Sequence, residues 1–99
     1  MLQNKKELIN AIAGYFVKQP VSKAFVFGSI TDNKFNDKSD IDILVELNEK
    51  NIGMQFIQMY LDLKNLTGHE IDLVTSDAIS KYIADKVDQQ KVLIYERAT

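Results

Sequence analysis

Apolar residues recur at helical spacing near the start of the chain. The repeat covers residues 4–18 and predicts an amphipathic first helix with one buried face. Its apolar positions are Leu8, Ile9, Ile12, Ala13, Phe16 and Val17. Asn4 is the expected N-cap, with Glu7 three residues later completing a capping box. Pro20 disfavours helical backbone in the residue before it, so the helix should end before that point.

The rest of the chain alternates between extended and helical patterns. Runs rich in β-branched and aromatic residues predict strands at 21–27, 40–47 and 70–74. Helical spacing predicts helices at 52–66 and at about 77–90, the latter capped by Thr75 or Ser76. Residues 30–39 are polar and should combine loop with a short helical turn, and residues 92–95 fit a last strand or a further helical turn. This order predicts an α+β fold in one domain, residues 1–99, with a small mixed sheet and helices packed against it.

Composition narrows the possible classes of protein. The 99 residues are 45% hydrophobic, which is enough for one core. Twelve basic and fourteen acidic residues give a net charge of −2, so stable binding to a long nucleic acid is not expected. The absence of cysteine excludes disulfides and thiolate metal sites. The N-terminus lacks a signal-peptide pattern and no run is apolar enough to span a membrane, so we expect a cytoplasmic protein.

Three aspartates form the main chemical signal. Asp40 and Asp42 are two residues apart in a predicted strand, so their side chains should share one face, roughly 6–7 Å apart. Asp72 occurs in the next predicted strand among similar apolar neighbours. If the two strands are adjacent, the three carboxylates can hold two divalent cations, with Mg²⁺ favoured by hard oxygen ligands. Taken alone, an Asp-x-Asp is more often a solvated strand edge or a loop cap.

Gly28-Ser29 directly follows the first predicted strand. Glycine at this point allows backbone to approach a ligand closely, and Ser29 offers a hydroxyl and a backbone N–H to a phosphate oxygen. If a helical turn begins there, its free N–H groups would add to the anion site. Alone, a Gly-Ser is usually only a turn. Its spacing from the Ser39-Asp40-x-Asp42 run and from Asp72 makes the combined pattern specific.

These residues resemble the minimal nucleotidyltransferases of the DNA polymerase β-like superfamily. The resemblance lies in GSITDNKFNDKSDIDILVE, residues 28–46, and HEIDLVT, residues 69–75, with matching element order around both. It implies a polymerase β palm-like fold, with ATP and two Mg²⁺ ions at the site. Asp40, Asp42 and Asp72 would then be the catalytic, metal-binding residues. The nucleotide-binding candidates would be Gly28, Ser29, Ser39 and Lys34.

The resemblance also implies a biological role. Many minimal nucleotidyltransferases are similar to antitoxins that transfer AMP to a tyrosine of a HEPN-type ribonuclease toxin, a reaction called AMPylation. The family commonly has Ala-Arg-Gly shortly after Gly-Ser, whereas this chain has the run 30–34 there, in which Lys34 is a point charge without the planar fork of arginine. Two alternatives therefore stay open. The chain could neutralise a toxin mainly by binding it, or it could modify a small molecule such as an aminoglycoside, although it has no room for a separate acceptor domain.

Two further features have competing interpretations. The second predicted helix carries more apolar residues than one packed face requires. Phe56, Met59 and Leu63 are therefore candidates either for core packing or for an exposed surface that binds the toxin or a second copy of the chain. His69, the only histidine, could bind a metal or act as a base, but we expect it to lie in a surface turn.

Overall fold

The computed structural model describes residues 4–79 and 81–98, without the side chain of Tyr82. In these residues the helices are α1 (Lys5–Phe16), α2 (Gly53–Thr67) and α3 (Lys81–Gln90). The strands are β1 (Val21–Phe27), β2 (Ile41–Leu47), β3 (Ile71–Thr75) and β4 (Val92–Glu96). A short 3-10 turn, Gly28–Thr31, follows β1. The predicted α+β class is confirmed.

The described strands form one four-stranded mixed sheet in the order β3-β2-β1-β4. β1 pairs with both β2 and β4 in antiparallel orientation, and β2 pairs with β3 in parallel. The crossover from β2 to β3 runs through α2, because parallel neighbours need a connection long enough to return to the same end of the sheet. Because β4 pairs only with β1 among the described strands, residues 92–95 belong to an edge strand rather than to a further helical turn.

The two faces of the sheet carry different cores. On the α1–α2 face, Ile41, Ile43 and Val45 pack with buried residues of both helices. On the opposite face, called the α3 face, Phe25 and Leu44 pack with Val87 of α3. Side chains alternate along a strand, so β2 supplies its odd positions to one face and its even positions to the other. Asp42 and Leu44 are both even positions of β2, so Asp42 lies on the α3 face.

Asn4 is confirmed as the N-cap of α1, whereas the Glu7 carboxylate accepts from the side-chain amide of Asn4 rather than from its backbone N–H as a capping box requires. The Asn4 side-chain oxygen accepts the backbone N–H of Glu7 at 2.9 Å, which satisfies one of the free donors of the first turn. Gly68 ends α2 in the left-handed conformation with a φ of 74°, a conformation that glycine adopts without a steric penalty.

The predicted start of the third helix is wrong. α3 begins at Lys81 rather than near residue 77, and residue 80 lies outside the described residues. Thr75 does not cap α3, because its hydroxyl accepts the N–H of Ala78 at 3.2 Å and closes a separate turn after β3. Local Ser/Thr bonding of this kind competes with helix formation.

Of the two interpretations of the apolar residues on the second helix, core packing is the correct one for Met59 and Leu63, which therefore do not form an exposed toxin-binding surface. Met59 and Leu63 are both 0% exposed and pack in the core of the α1–α2 face, and Phe56 is half-buried against that core. They face the sheet because α2 crosses over it from β2 to β3. Hydrophobic side chains that α2 does expose are Met54, Ile57, Leu61 and Leu66. Within the described residues, no helix has the length and apolar character needed to cross a membrane.

Candidate functional site

Asp42 and Asp72 lie side by side on the α3 face. They are direct partners in the parallel β2–β3 register, and their side chains are within hydrogen-bonding reach of each other. The flanking partners, Ile41 with Ile71 and Ile43 with Leu73, point to the other face. The alternation of apolar and acidic residues in both strands therefore brings the two carboxylates together on one side of the sheet.

Asp40 lies at the edge of this pair rather than inside the strand where the sequence placed it. β2 begins at Ile41, and Asp40 is exposed immediately before it. The N–H of Ile41 donates to the Glu70 carbonyl at 2.9 Å, so the backbone beside Asp40 is tied to the start of β3. The Asp40 carboxylate is close enough to Asp42 to contribute to its electrostatic environment.

The electrostatics of the group are unfavourable without a cation. Partial burial, together with the charges of Asp72 and Asp40, raises the pKa of Asp42 to about 6. Neighbouring carboxylates repel unless positive charge lies between them. Hard carboxylate oxygens with uncompensated charge fit a hard divalent cation such as Mg²⁺. Nevertheless, no three acidic or histidine side chains among residues 4–79 and 81–98 already surround a common metal position.

Gly28 is required by the packing against Asp42. Its φ is +74°, and a Cβ on this residue would lie 2.2 Å from the Asp42 Oδ2 atom. No real side chain could occupy that space without displacing the carboxylate. The sequence explained this glycine by the approach of a ligand, whereas in the structure the approaching group is Asp42 itself.

The 3-10 turn after Gly28 carries Ser29 and is closed locally. The Thr31 hydroxyl donates to the Gly28 carbonyl at 2.6 Å, and the N–H of Asp32 donates to the Ser29 carbonyl at 3.1 Å. Ser29 is half-buried, directly beyond the glycine that contacts Asp42. The turn has only four residues, so it supplies little of the dipole that a full helix would offer to a phosphate.

The two other candidates for nucleotide binding lie in the loop before β2. The Ser39 hydroxyl accepts the N–H of Asn36 at 3.0 Å and thereby closes the turn that leads to Asp40. Lys34 is exposed, and its backbone N–H donates to the Asp32 side chain at 2.7 Å. The Ser39 hydroxyl thus stabilises the loop, while the Lys34 side chain is exposed at the surface, where a phosphate could reach it.

His69 is not the surface residue that the sequence indicated. It is 9% exposed, and its ring stacks on Phe35 with 5.1 Å between ring centroids. Its Nδ1 lies 2.7 Å from the Ser39 carbonyl oxygen. Gly68 ends the helix and the chain turns directly into β3, so residue 69 follows the inward alternation of Ile71 and Leu73. That period of two was the available signal, and the preceding glycine obscured it.

Comparison with known proteins places these features in a family. Residues 10–99 match the family model described as polymerase beta, nucleotidyltransferase. A protein of Methanocaldococcus jannaschii, named provisionally as a protein adenylyltransferase, is 30% identical over 89 residues, covering 90% of this chain and 96% of that protein. The protein adenylyltransferase MntA of Thermococcus cleftensis is 33% identical over 69 residues, covering 70% of each chain.

Solved structures share the fold at lower sequence identity. A chain of the complex between the tri-AMPylated HEPN toxin of Shewanella oneidensis and its MNT antitoxin superposes with a TM-score of 0.73 at 18% identity, covering 95% of this chain and 74% of that one. A toxin–antitoxin structure with AMP-PNP gives a TM-score of 0.72 at 19% identity, with the same two coverages of 95% and 74%. The family model spans nearly the whole sequence, and so this chain belongs to the polymerase β nucleotidyltransferase family and is a nucleotidyltransferase.

Proposed function

We propose that this chain transfers AMP from ATP, with Mg²⁺, to a hydroxyl of a partner protein, and that it acts as the antitoxin of a HEPN-type toxin. Two relatives bear the name protein adenylyltransferase, one of them provisionally. A neighbouring structure contains an AMPylated HEPN toxin with its antitoxin, and another contains the ATP analogue AMP-PNP. A tyrosine of the toxin is the proposed acceptor.

The observation that supports this function most strongly is the pairing of Asp42 with Asp72 beside Gly28. Two carboxylates on neighbouring strands, backed by a glycine with no space for a side chain, form a compact acidic patch at one end of the sheet. The exposed Asp40 lies beside this patch, and the exposed Lys34 belongs to the loop that leads to Asp40. Such a patch suits cation-assisted phosphoryl chemistry better than the recognition of an anion by the protein alone.

The proposed roles follow from these positions. Asp40 and Asp42 would hold both metal ions, and Asp72 would complete the site of the catalytic one. Bound Mg²⁺ would neutralise charge on the triphosphate and stabilise the charge that develops during transfer. Gly28, Ser29, Ser39 and Lys34 would contact or frame the triphosphate.

The reaction is an in-line displacement at the α-phosphorus. The acceptor oxygen forms a bond to the α-phosphorus, and the bond from that phosphorus to the bridging oxygen of the β-phosphate breaks. The electron pair of the broken bond leaves with pyrophosphate. The proton of the acceptor hydroxyl passes to a site carboxylate, for which Asp72 is the proposed acceptor.

Label position distinguishes this reaction from phosphorylation. The protein is incubated with its toxin, Mg²⁺ and ATP labelled at either the α- or the γ-phosphate. We expect label on the toxin only from the α-position, and we expect Asp42→Asn and Asp72→Asn to reduce transfer by at least about 100-fold. Asp85→Asn, which removes an exposed carboxylate on α3, serves as the matched control and should retain full transfer. Label from the γ-position, or full transfer by Asp42→Asn, would contradict the proposal.

A second candidate function is neutralisation by binding alone. The run from Ile30 to Lys34 lacks the arginine common in this family, and Ile30 is buried in the core. Nucleotide binding would then depend on Lys34 as a single point charge. Co-expression of the toxin with Asp42→Asn separates the two functions. Growth rescued by this variant favours masking, and growth arrest favours catalysis.

A further inference from the structure

His69 connects two parts of the structure that are distant in sequence. The imidazole stacks on Phe35 at one end of the loop before β2 and meets the Ser39 carbonyl at its other end. A carbonyl oxygen can only accept a hydrogen bond, so Nδ1 must carry the proton and donate it. The His69 backbone is itself fixed, since its N–H donates to the Thr67 hydroxyl at 3.2 Å.

The residue pair 69–70 holds the backbone on both sides of Asp40. His69 binds the carbonyl of Ser39, which belongs to the peptide group that enters Asp40. The Glu70 carbonyl accepts the N–H of Ile41, the residue that follows Asp40. Asp40 therefore lies between two hydrogen bonds made by consecutive residues at the start of β3, although its own side chain is exposed.

The loop that His69 contacts is closed on itself. The N–H of Asn36 donates to the Ser39 hydroxyl, and the N–H of Ser39 donates to the Asn36 carbonyl, each at 3.0 Å. Phe35 packs against the core of the α1–α2 face. The imidazole thus joins a closed turn to a half-buried aromatic ring, so a movement of His69 would move the whole turn and with it Asp40.

We propose that His69 is the positioning residue for Asp40, and that its Nδ1–H bond to Ser39 fixes this aspartate beside the Asp42–Asp72 pair. The chemical consequence rests on the proposed function, because it assumes that Asp40 is a metal ligand. The effect of His69 on the backbone around Asp40 does not depend on the proposed function. Groups that orient ligands typically contribute 10–100-fold to metal affinity or activity.

Two substitutions separate the hydrogen bond from the stacking. His69→Phe keeps an aromatic ring against Phe35 and removes the donor. His69→Asn gives up most of the stacking and places an amide N–H₂ donor close to the position of Nδ1. Thr67→Ser is the control for stability, since it removes a buried methyl group from the same turn and keeps the hydroxyl that accepts the His69 N–H. Folding of each variant is checked by circular dichroism and thermal unfolding.

The first measurement is backbone amide exchange in the metal-free protein, followed by NMR. In His69→Phe, the Ile41 amide should exchange about fivefold faster or more, the equivalent of one lost hydrogen bond. In His69→Asn and Thr67→Ser, the exchange rate of the Ile41 amide should remain close to that in the unmodified protein. An unchanged Ile41 amide in His69→Phe, or equal acceleration in His69→Phe and His69→Asn, would overturn the positioning role.

The second measurement is Mn²⁺ binding by calorimetry. We expect His69→Phe to weaken Mn²⁺ binding by about 10–100-fold and His69→Asn to retain affinity within a few-fold of the unmodified protein. Equal affinity in His69→Phe and the unmodified protein would overturn the role of His69 in the metal site. Failure of the unmodified protein to bind Mn²⁺ would instead contradict the proposed function, and the Ile41 amide would still decide whether His69 positions Asp40.

Discussion

At the scale of single residues, the site depends on how closely Gly28 approaches Asp42. The glycine has a positive φ, and its missing Cβ leaves the space in which the Asp42 carboxylate lies. Asp42 in turn contacts Asp72 across the strand pair and keeps a pKa well above that of an ordinary aspartate because it is partly buried. The Asp42 carboxylate therefore requires a glycine at position 28 and also carries an electrostatically unfavourable charge. Such combinations are common at functional sites.

Gly28→Ala should damage both stability and activity. The new methyl group would collide with the Asp42 carboxylate, and alanine would also occupy a left-handed conformation that costs about 1–2 kcal/mol. We expect the free energy of unfolding to fall by at least that amount and transfer activity to be lost. Gly14→Ala is the matched control, because a Cβ there meets nothing within 4 Å. In the interior of α1 it should stabilise the protein by about 0.5–1 kcal/mol, measured by urea unfolding. If both substitutions had the same effect, the steric argument would be wrong.

Asp42→Asn should stabilise the metal-free protein while abolishing transfer. The amide removes a partly buried charge and can donate to the Asp72 carboxylate instead of repelling it. After allowance for solvent screening, the gain should be on the order of 1 kcal/mol. Thermal unfolding in the presence of a chelator measures the effect, with Asp85→Asn as the control that should leave the melting temperature nearly unchanged. A lower melting temperature for Asp42→Asn would show that the carboxylates do not destabilise the fold.

At the scale of elements, α2 divides its apolar residues between two environments. Its sheet-facing side is buried in the core and includes Leu63, whereas Leu61 is 44% exposed. The excess of apolar residues in the sequence could not reveal this division, because the periodicity of a helix gives its apolar stripe but not the width that neighbouring elements cover. Packing of α2 against both α1 and β3 sets that width.

Replacement of the two leucines of α2 should give different results. Leu63→Ala leaves a cavity in the core and should lower the free energy of unfolding by about 2–5 kcal/mol. Leu61→Ala removes the same atoms from a largely solvated position and should cost less than about 1 kcal/mol. Chemical denaturation measures both. Equal losses would mean that the exposed side of α2 is covered in solution, for instance by another chain.

A hydrogen bond between Tyr15 and Asp62 joins α1 to α2 and should make stability depend on pH. The Tyr15 hydroxyl donates to the Asp62 carboxylate at 2.6 Å, and this bond with that of Gln58 lowers the pKa of Asp62. A carboxyl with a lowered pKa stabilises the fold above its unfolded pKa of about 3.9, and the contribution is lost as the pH falls through the lowered value. Burial and the same bond raise the pKa of Tyr15, so its hydroxyl remains a donor at neutral pH.

The comparison of the unmodified protein with Tyr15→Phe isolates this contribution. The difference in melting temperature between the two should be present at pH 7 and should shrink steadily at pH values below about 4. Asp62→Asn should reduce the dependence on pH in the same way. A difference in melting temperature that stays constant from pH 7 to pH 2 would indicate that the bond stabilises the ionised and the protonated forms of Asp62 equally.

At the scale of the whole molecule, the sheet separates a large core from a small one. The α1–α2 face buries most of the apolar side chains, whereas the α3 face rests on the small cluster of Phe25, Leu44 and Val87. Among the side chains of α3 that the structure describes, Val87 is the buried one, and a cleft of about 190 Å³ lies between α3 and β2. α3 should therefore open more readily than the rest of the fold.

Hydrogen exchange should show that α3 opens independently of the rest of the fold. We expect amides of α3 to exchange faster than those of β1 and β2, which lie at the centre of the sheet. Val87→Ala should accelerate exchange across α3 and leave the protection of β1 almost unchanged, as measured by NMR. Equal acceleration in α3 and β1 would show that the two faces unfold together.

The sequence by itself determined the local features of this protein. Asn4 as a cap follows from backbone preferences, and the alternation of Ile41, Asp42 and Ile43 follows from the period of two in a strand. The motif of Gly28-Ser29 with Asp40, Asp42 and Asp72 was also readable, because aspartate rarely occurs in strands without a reason.

Only the tertiary structure decided which of these features meet. The parallel register of β2 and β3 places Asp42 against Asp72 and leaves Asp40 at the edge, and strand pairing of this kind depends on a long crossover that local patterns do not encode. The burial of His69 against Phe35 depends on the same crossover. Contacts between residues thirty positions apart are set by the packing of whole elements, so they become visible only when the chain is folded.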